Sequence, residues 1–142
     1  LSVTFSLKKS REELIKQGYD TWIVEKPWNQ YTKKREDLFH FADLVAIRDD
    51  IVGVTAIQGT GEDASSHVKK LLEGFADAKG NAIPPNPHLR TWLKTGNRFF
   101  IWSWRLRGKK GKRKLYKLRQ IEFFIENNSV IHREIPEVEV ED

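Results

Sequence analysis

The sequence predicts an α/β fold: a mixed central β-sheet flanked by helices, with a basic C-terminal β-hairpin. Three observations carry that prediction. Two apolar runs, Phe41 to Arg48 and Ile51 to Gln58, are separated only by Asp49-Asp50, the pattern of a tight antiparallel hairpin. Soon after, Val68, Leu71, Leu72 and Phe75 recur at helical spacing, so a helix packs on that sheet. Arg98 to Leu106 then alternates as a strand and pairs with a further strand across the turn Arg107-Gly108-Lys109-Lys110-Gly111.

The remaining elements follow in chain order. Ser10 to Gly18 has a capping serine, Glu12 and Glu13 in the first turn and a terminal glycine, which predicts a short helix starting at Ser10 or a turn earlier. Tyr19 to Val24, rich in aromatic and β-branched residues, reads as a strand. Pro27, Asn29 and the Lys33-Lys34-Arg35-Glu36-Asp37 cluster read as a polar, basic loop that exposes Trp28 and Tyr31. Gly59-Thr60-Gly61 breaks the second apolar run, and the helix Ser65 to Phe75 leads to the turn Ile83-Pro84-Pro85-Asn86-Pro87. His88 to Lys94 forms a short helix with Leu89, Trp92 and Leu93 on one face, closed by Gly96-Asn97. Hairpins mixed with crossovers give a mixed sheet with helices on its faces.

The 142 residues suit one core and one domain spanning 1–142. The net charge of +5 conceals an acidic segment, 134–142, which reads as a tail carrying five carboxylates. Without it the body stands at about +10. A body so charged repels itself and calls for a polyanionic partner, of which nucleic acid is the commonest and an acidic membrane surface the next. The chain has no cysteine, so disulfide scaffolds and thiolate zinc sites are excluded, and His40, His67, His88 and His132 lack ligand spacing. No apolar run approaches the roughly 20 residues of a membrane span. Leu1 to Leu7 is too short for a signal peptide, and a chain opening on Leu1 is expected to lack a few leading residues. The expected location is intracellular: cytoplasmic, nucleoid-associated or phage-encoded.

One constellation is cationic. Arg105, Arg107, Lys109, Lys110, Lys112, Arg113, Lys114, Lys117 and Arg119 fall in fifteen residues that contain no acid. Like charges crowded on a two-stranded ribbon repel, and Gly108 and Gly111 loosen its tip, so the ribbon suits phosphates or a groove. The acidic tail is expected to fold over it as an internal competitor. Trp92, Phe99, Phe100, Trp102, Trp104, Tyr116, Phe123 and Phe124 interleave with this charge and read first as the core face of the sheet, with stacking on unpaired bases as the alternative.

The second constellation lies in the central hairpin. Asp43 opens one strand inside an apolar stretch, where a carboxylate needs a partner or a metal, and Gln58 and Thr60 end the neighbouring strand. With the preceding helix carrying Glu12 and Glu13, residues 8–75 resemble the PD-(D/E)xK nuclease superfamily, particularly its small Holliday-junction-resolvase-like and phage-type members. The resemblance implies a restriction-endonuclease-like sheet in which an Asp and a Glu on adjacent strands hold Mg²⁺, with Mn²⁺ as a substitute. It also implies a lysine two residues beyond the Glu that helps activate water, and a homodimer where two strands are cut symmetrically. Asp43 matches the metal-binding aspartate; Gln58 stands at the second acid and Thr60 at the lysine. The implied catalytic set is Asp43, Gln58, Thr60 and Glu13, with Asp43 and Gln58 as metal ligands. A glutamine oxygen ligates Mg²⁺ without charge, and a threonine is no ammonium, so Glu12, Glu13, Glu25, Lys69 and Lys70 are candidates to supply what is missing. The functions that follow are a metal-dependent DNA endonuclease, a catalytically inactive binding module on the same scaffold, or an adaptor that binds an acidic protein.

Overall fold

The chain is described by a computed structural model covering residues 4–31, 34–61, 63–111 and 113–141. The first helix, α1 (Phe5–Lys16), starts a little over a turn before Ser10, close to the earlier of the two expected starts. Thr4 caps it, its Oγ1 accepting from Leu7 N at 3.3 Å. Ser10 is instead buried mid-helix, and its Oγ accepts a 2.9 Å bond from Trp104 Nε1. Leu7, Ser10 and Leu14 thereby form the buried stripe. Lys9 lies beside it, its ammonium 4.7 Å from the Tyr116 ring centre and 3.8 Å from Glu12.

Next come β1 (Asp20–Ile23), β2 (Lys26–Asn29), β3 (Lys34–Glu36), β4 (Leu44–Arg48) and β5 (Ile51–Thr60). The expected polar loop thus contains a small antiparallel ribbon, β2–β3. The β4–β5 hairpin turns at Asp49-Asp50 as expected, with Arg48 Nε 2.6 Å from Asp50 Oδ1. Gly59-Thr60 does not break β5, because both residues pair with the next long strand. The chain continues through α2 (Ala64–Glu73), the short ribbon β6 (Phe75–Ala76) and β7 (Ala82–Ile83), and α3 (His88–Lys94). It ends in β8 (Arg98–Lys110), β9 (Arg113–Glu126) and β10 (Ser129–Glu141).

Among the described residues the main sheet has six strands in the order β1-β4-β5-β8-β9-β10. All neighbours are antiparallel except β5 and β8, which run parallel and are joined over one face by α2 and α3. This is the mixed sheet with flanking helices that the pattern predicts. Every residue from Phe99 to Trp104 is buried, since the strand is covered on both faces. Phe100, Trp102 and Trp104 join Leu7, Leu14, Leu44 and Ile57 under α1. Phe99 and Ile101 join Phe41, Leu71, Leu89, Ile121 and Phe123 on the opposite side. The aromatics that interleave with the basic residues are therefore core, apart from the half-buried Trp92 and Phe124.

Two corrections concern the C-terminal third. The hairpin turn is shorter and later than expected: β8 runs four residues past Leu106 to Lys110, which pairs with Arg113, and its register shifts between Leu106 and Gly108. The acidic segment is no tail: residues 134–141 belong to β10, an edge strand paired along the length of β9. Its charge run hid an alternation in which Ile131, Ile135, Val138 and Val140 separate polar residues. Among the described residues no helix is long and apolar enough to cross a membrane.

Phe99, fully buried between Phe41 and Phe123 with ring centres 5.0 and 5.1 Å away, anchors the α2–α3 side. Phe99→Ala is expected to lower unfolding stability by about 3–5 kcal/mol. Ser10→Val, which strands Trp104 Nε1, should cost about 1–3 kcal/mol. Urea titration checks both, with Val52→Ala at an exposed position as the neutral control.

Candidate functional site

Asp43 precedes β4 and is almost wholly buried, at 8% exposure. Its backbone joins two strands: Asp43 N donates to Ile57 O at 3.1 Å, while its carbonyl accepts from Val24 N and Glu25 N at 3.1 and 3.3 Å. Its carboxylate reaches across to β5 and accepts from Gly59 N at 3.1 and 3.3 Å. That single donor does not offset the loss of water. Burial first, and then the nearby charge of Asp37, push the Asp43 carboxyl up to about 8; the Gly59 bond pulls the other way and Glu25 adds to the rise. Three acids, Glu25, Asp37 and Asp43, thus share one neighbourhood.

Gly59 stands opposite, where α1 leaves little room: a Cβ would lie 3.2 Å from the Ser6 backbone. Strand alternation then sends Gln58 and Thr60 to the α2 side. Gln58 is 9% exposed, and its Oε1 is buried with no hydrogen-bond partner among the described residues. Thr60 Oγ1 donates a short bond to Asp63 Oδ1, which holds the Asp63 carboxyl below its ordinary value. Asp63 Oδ2 in turn lies 3.5 Å from His67 Nε2, one turn along α2. Burial raises the Asp37 carboxyl above its ordinary value, and the nearby His67, then His40, oppose the rise. Thr60 therefore does not stand in for a lysine; it orients an Asp63–His67 pair.

The structure brings Asp43, Gln58 and Thr60 together as the sequence expects, but not Glu13. Gly59 meets α1 at Ser6, and Glu13 lies two turns further along, accepting a 3.1 Å bond from Gln17 Nε2. Glu12 pairs with Lys9. Of the alternative lysines, Lys70 lines a cavity of about 400 Å³ together with Gln58, His40 and His67, whereas Lys69 is exposed outside it. Sequence reasoning missed Asp63 and His67, although their i, i+4 spacing at the start of α2 was a readable signal. Among the described residues no three His, Cys, Asp or Glu side chains converge closely enough to hold a metal by themselves.

The basic ribbon begins beside this site. Ser103 Oγ donates to the Gly61 carbonyl, and Arg119 Nη1 lies 3.5 Å from Ser65 Oγ at the start of α2. From there Ser103, Arg105, Lys117, Arg119 and Glu137 line a groove of about 230 Å³. Lys112 and the side chains of Lys109 and Lys110 lie outside the described residues, as do Lys33 and the Trp28 side chain. Strand β10 answers part of the charge: Arg119 pairs with Glu134, Lys117 with Glu137 at 2.7 Å and Arg113 with Glu141 at 3.5 Å. Among the described residues Arg105, Arg107 and Lys114 have no such acid beside them and stand exposed.

Comparison with protein-family models, curated proteins and solved structures finds no match for this chain.

The raised Asp43 carboxyl makes stability depend on pH. Between its ordinary value near 4 and its folded value of about 8, the folded chain holds a proton that the unfolded chain has lost. This stabilising contribution is complete below about pH 4 and is lost as pH rises through about 8. Melting temperature should therefore fall from about pH 5 to about pH 8 in the wild type, and Asp43→Asn should flatten that fall, as thermal melts across the range will register.

Proposed function

We propose that this chain is a metal-dependent DNA endonuclease, resolvase-like in substrate, built on a restriction-endonuclease-like sheet. The observation that carries the reading is the Asp43 carboxylate bonded across to Gly59, between Gln58 and Thr60, in the acid-and-neighbouring-strand arrangement that the PD-(D/E)xK resemblance implies. The donor set fits a hard divalent cation. Gln58 Oε1 is an unpartnered acceptor, the Asp43 oxygens adjoin it along β5, and mutual repulsion with Asp37 and Glu25 is of the kind a cation relieves. Mg²⁺ is commonly held by one or two carboxylates with water and substrate phosphate, so a three-acid cage is not required. Asp43 and Gln58 would hold it, and there it would offset charge on the scissile phosphate and make a bound water nucleophilic.

The chain's own residues supply the rest. Lys70 brings a positive charge to the cavity beside Gln58, the role for which the sequence has no lysine at position 60. His67, held by Asp63, is placed to accept or give a proton at its ring. Arg105, on the α2 face of β8 with Ser103, would track the phosphate backbone beside the site, and Arg107 and Lys114 would extend that contact toward the end of the ribbon. Glu134 and Glu137 on β10 occupy the cations that a backbone would otherwise contact, so nucleic acid competes with the chain's own acids. Trp22 and Ile47 are exposed on the edge pair β1–β4, a surface that suits a second copy in a dimer. Such a protein works where DNA is, inside the cell. The alternative reading, a binding module without catalysis, draws on Thr60 being tied to Asp63 rather than serving the reaction.

Labelled linear, single-stranded and four-way-junction DNA incubated with Mg²⁺, Mn²⁺ or EDTA decides between them. Metal-dependent cutting is expected, with Asp43→Ala reducing it at least about 100-fold and Lys70→Ala about 10-fold or more. Retardation without cutting would select the binding module, and neither would remove both. In the same retardation assay Arg105→Ala with Arg107→Ala should weaken binding and reduce its salt dependence by about two counterions, whereas Glu134→Gln with Glu137→Gln should strengthen it.

A further inference from the structure

We propose that the cavity beside Gln58 is a receptor for one unpaired nucleobase, so that the protein recognises DNA in which a nucleotide has left the double helix. This inference rests on the DNA-directed reading above and adds the feature of the substrate that is selected.

The cavity is built rather than incidental. Its floor is Gln58 on β5 and its far walls come from α2 and from the β6–β7 ribbon. Asn86 ties these parts together: its backbone N donates to Leu71 O at 3.0 Å and its Nδ2 to Phe39 O at 3.0 Å. Its Oδ1 accepts from His88 N and Leu89 N at 2.9 and 3.2 Å, fixing the start of α3. The ribbon is clamped where α2 ends, since Gly74, at φ +80°, packs against the Ile83 carbonyl with no room for a Cβ. On the remaining side Phe39 and His40 both adopt left-handed backbone conformations, at φ 50° and 63°, and present His40 to the opening. Two consecutive non-glycine residues held that way carry backbone strain, a pattern that clusters at ligand clamps.

The lining specifies the occupant. Leu71, Phe75, Ile83 and Pro84 give apolar walls suited to the faces of a flat ring. Gln58 lines the cavity, and its Oε1 is a buried acceptor without a partner among the described residues, so an occupant that brings an N–H or O–H donor on its edge is favoured there. At the rim Lys70 and the two histidines favour an anion attached to that ring. A flat heterocycle with edge donors and an anionic link is a nucleotide. In a matched duplex those donors are paired and the faces stacked, so entry requires a base already unpaired or turned out of the helix. The amide oxygen has two lone pairs, so this contact and a cation are compatible.

The test is binding without metal, in EDTA, by fluorescence anisotropy. Two labelled duplexes are compared, identical except that one carries a single-nucleotide bulge. Wild-type protein is expected to bind the bulged duplex at least about tenfold tighter than the matched one. Ile83→Asp, which puts a carboxylate in the apolar wall, should reduce the bulged affinity to the matched level and leave matched binding within about twofold, because the arginine groove sets that. Phe75→Ser is the second variant with the same expectation, and circular dichroism verifies that both fold. Equal wild-type affinities, or a preference that survives both substitutions, would overturn the nucleobase receptor while DNA binding stands, and would return the cavity to a protein side chain. Failure to bind either duplex would overturn both readings together.

Discussion

The parallel pairing of β5 with β8 is the constraint from which the rest of the molecule follows. Two parallel neighbours cannot be joined by a tight turn, so the chain must cross one face of the sheet, and here α2 and α3 make that crossing. The crossing buries Phe99 and Ile101, while α1 buries Phe100, Trp102 and Trp104 on the reverse, which is why six successive residues of β8 are buried. It also lifts the chain away from the sheet at Thr60, the carboxyl end of β5. A crevice at the carboxyl end of a strand beside a crossover is where open α/β sheets place ligands. Gln58, Thr60 and the cavity beneath α2 lie at that crevice.

Against this frame, Asp43 is an electrostatic liability. A carboxylate buried to this degree beside Asp37 and Glu25 is costly as an anion, and a single amide from Gly59 leaves most of its lone pairs unanswered. An asparagine at that position would accept the same amide without the repulsion. Structural need alone therefore does not account for the acid, and a group whose burial and charged neighbours shift it so far is the kind found where chemistry is done. Gln58 reinforces the point from the other side: its Oε1 is an acceptor without a partner among the described residues, close to a carboxyl that is costly to ionise.

How much of this the sequence revealed depends on which residues carried the signal. The Phe41–Gln58 hairpin was legible because both strands are apolar and the turn between them is short. The meeting of Asp43 with Gln58 and Thr60 follows from that hairpin alone. Ser10 misled because a serine before two glutamates looks like a cap, and only the long-range bond from Trp104, ninety-four residues away in sequence, shows why it sits inside the helix. The role of Thr60 was hidden for a related reason, since motif spacing says where a residue falls and not that it will be occupied by Asp63. The cavity could not be read at all, because its walls come from five segments that Asn86 joins through the fold.

The last third of the chain shows how composition can mislead about architecture while remaining right about charge. Five carboxylates near the end looked like a solvated tail, yet spaced by Ile135, Val138 and Val140 they make an edge strand, of which Ile135 and Val140 pack on the sheet. The acids fall beside Arg113, Lys117 and Arg119 because neighbouring strands place cross-strand side chains within about 5 Å, so the alternation that forms the strand also sets the ion pairs. Those pairs are partly exposed and individually weak. They therefore spare the bare sheet its self-repulsion without locking it, and a phosphate backbone that arrives with many charges at once can displace them. Neutralisation by β10 reaches one side of the ribbon and stops, leaving Arg105, Arg107 and Lys114 as the cations a polyanion meets first.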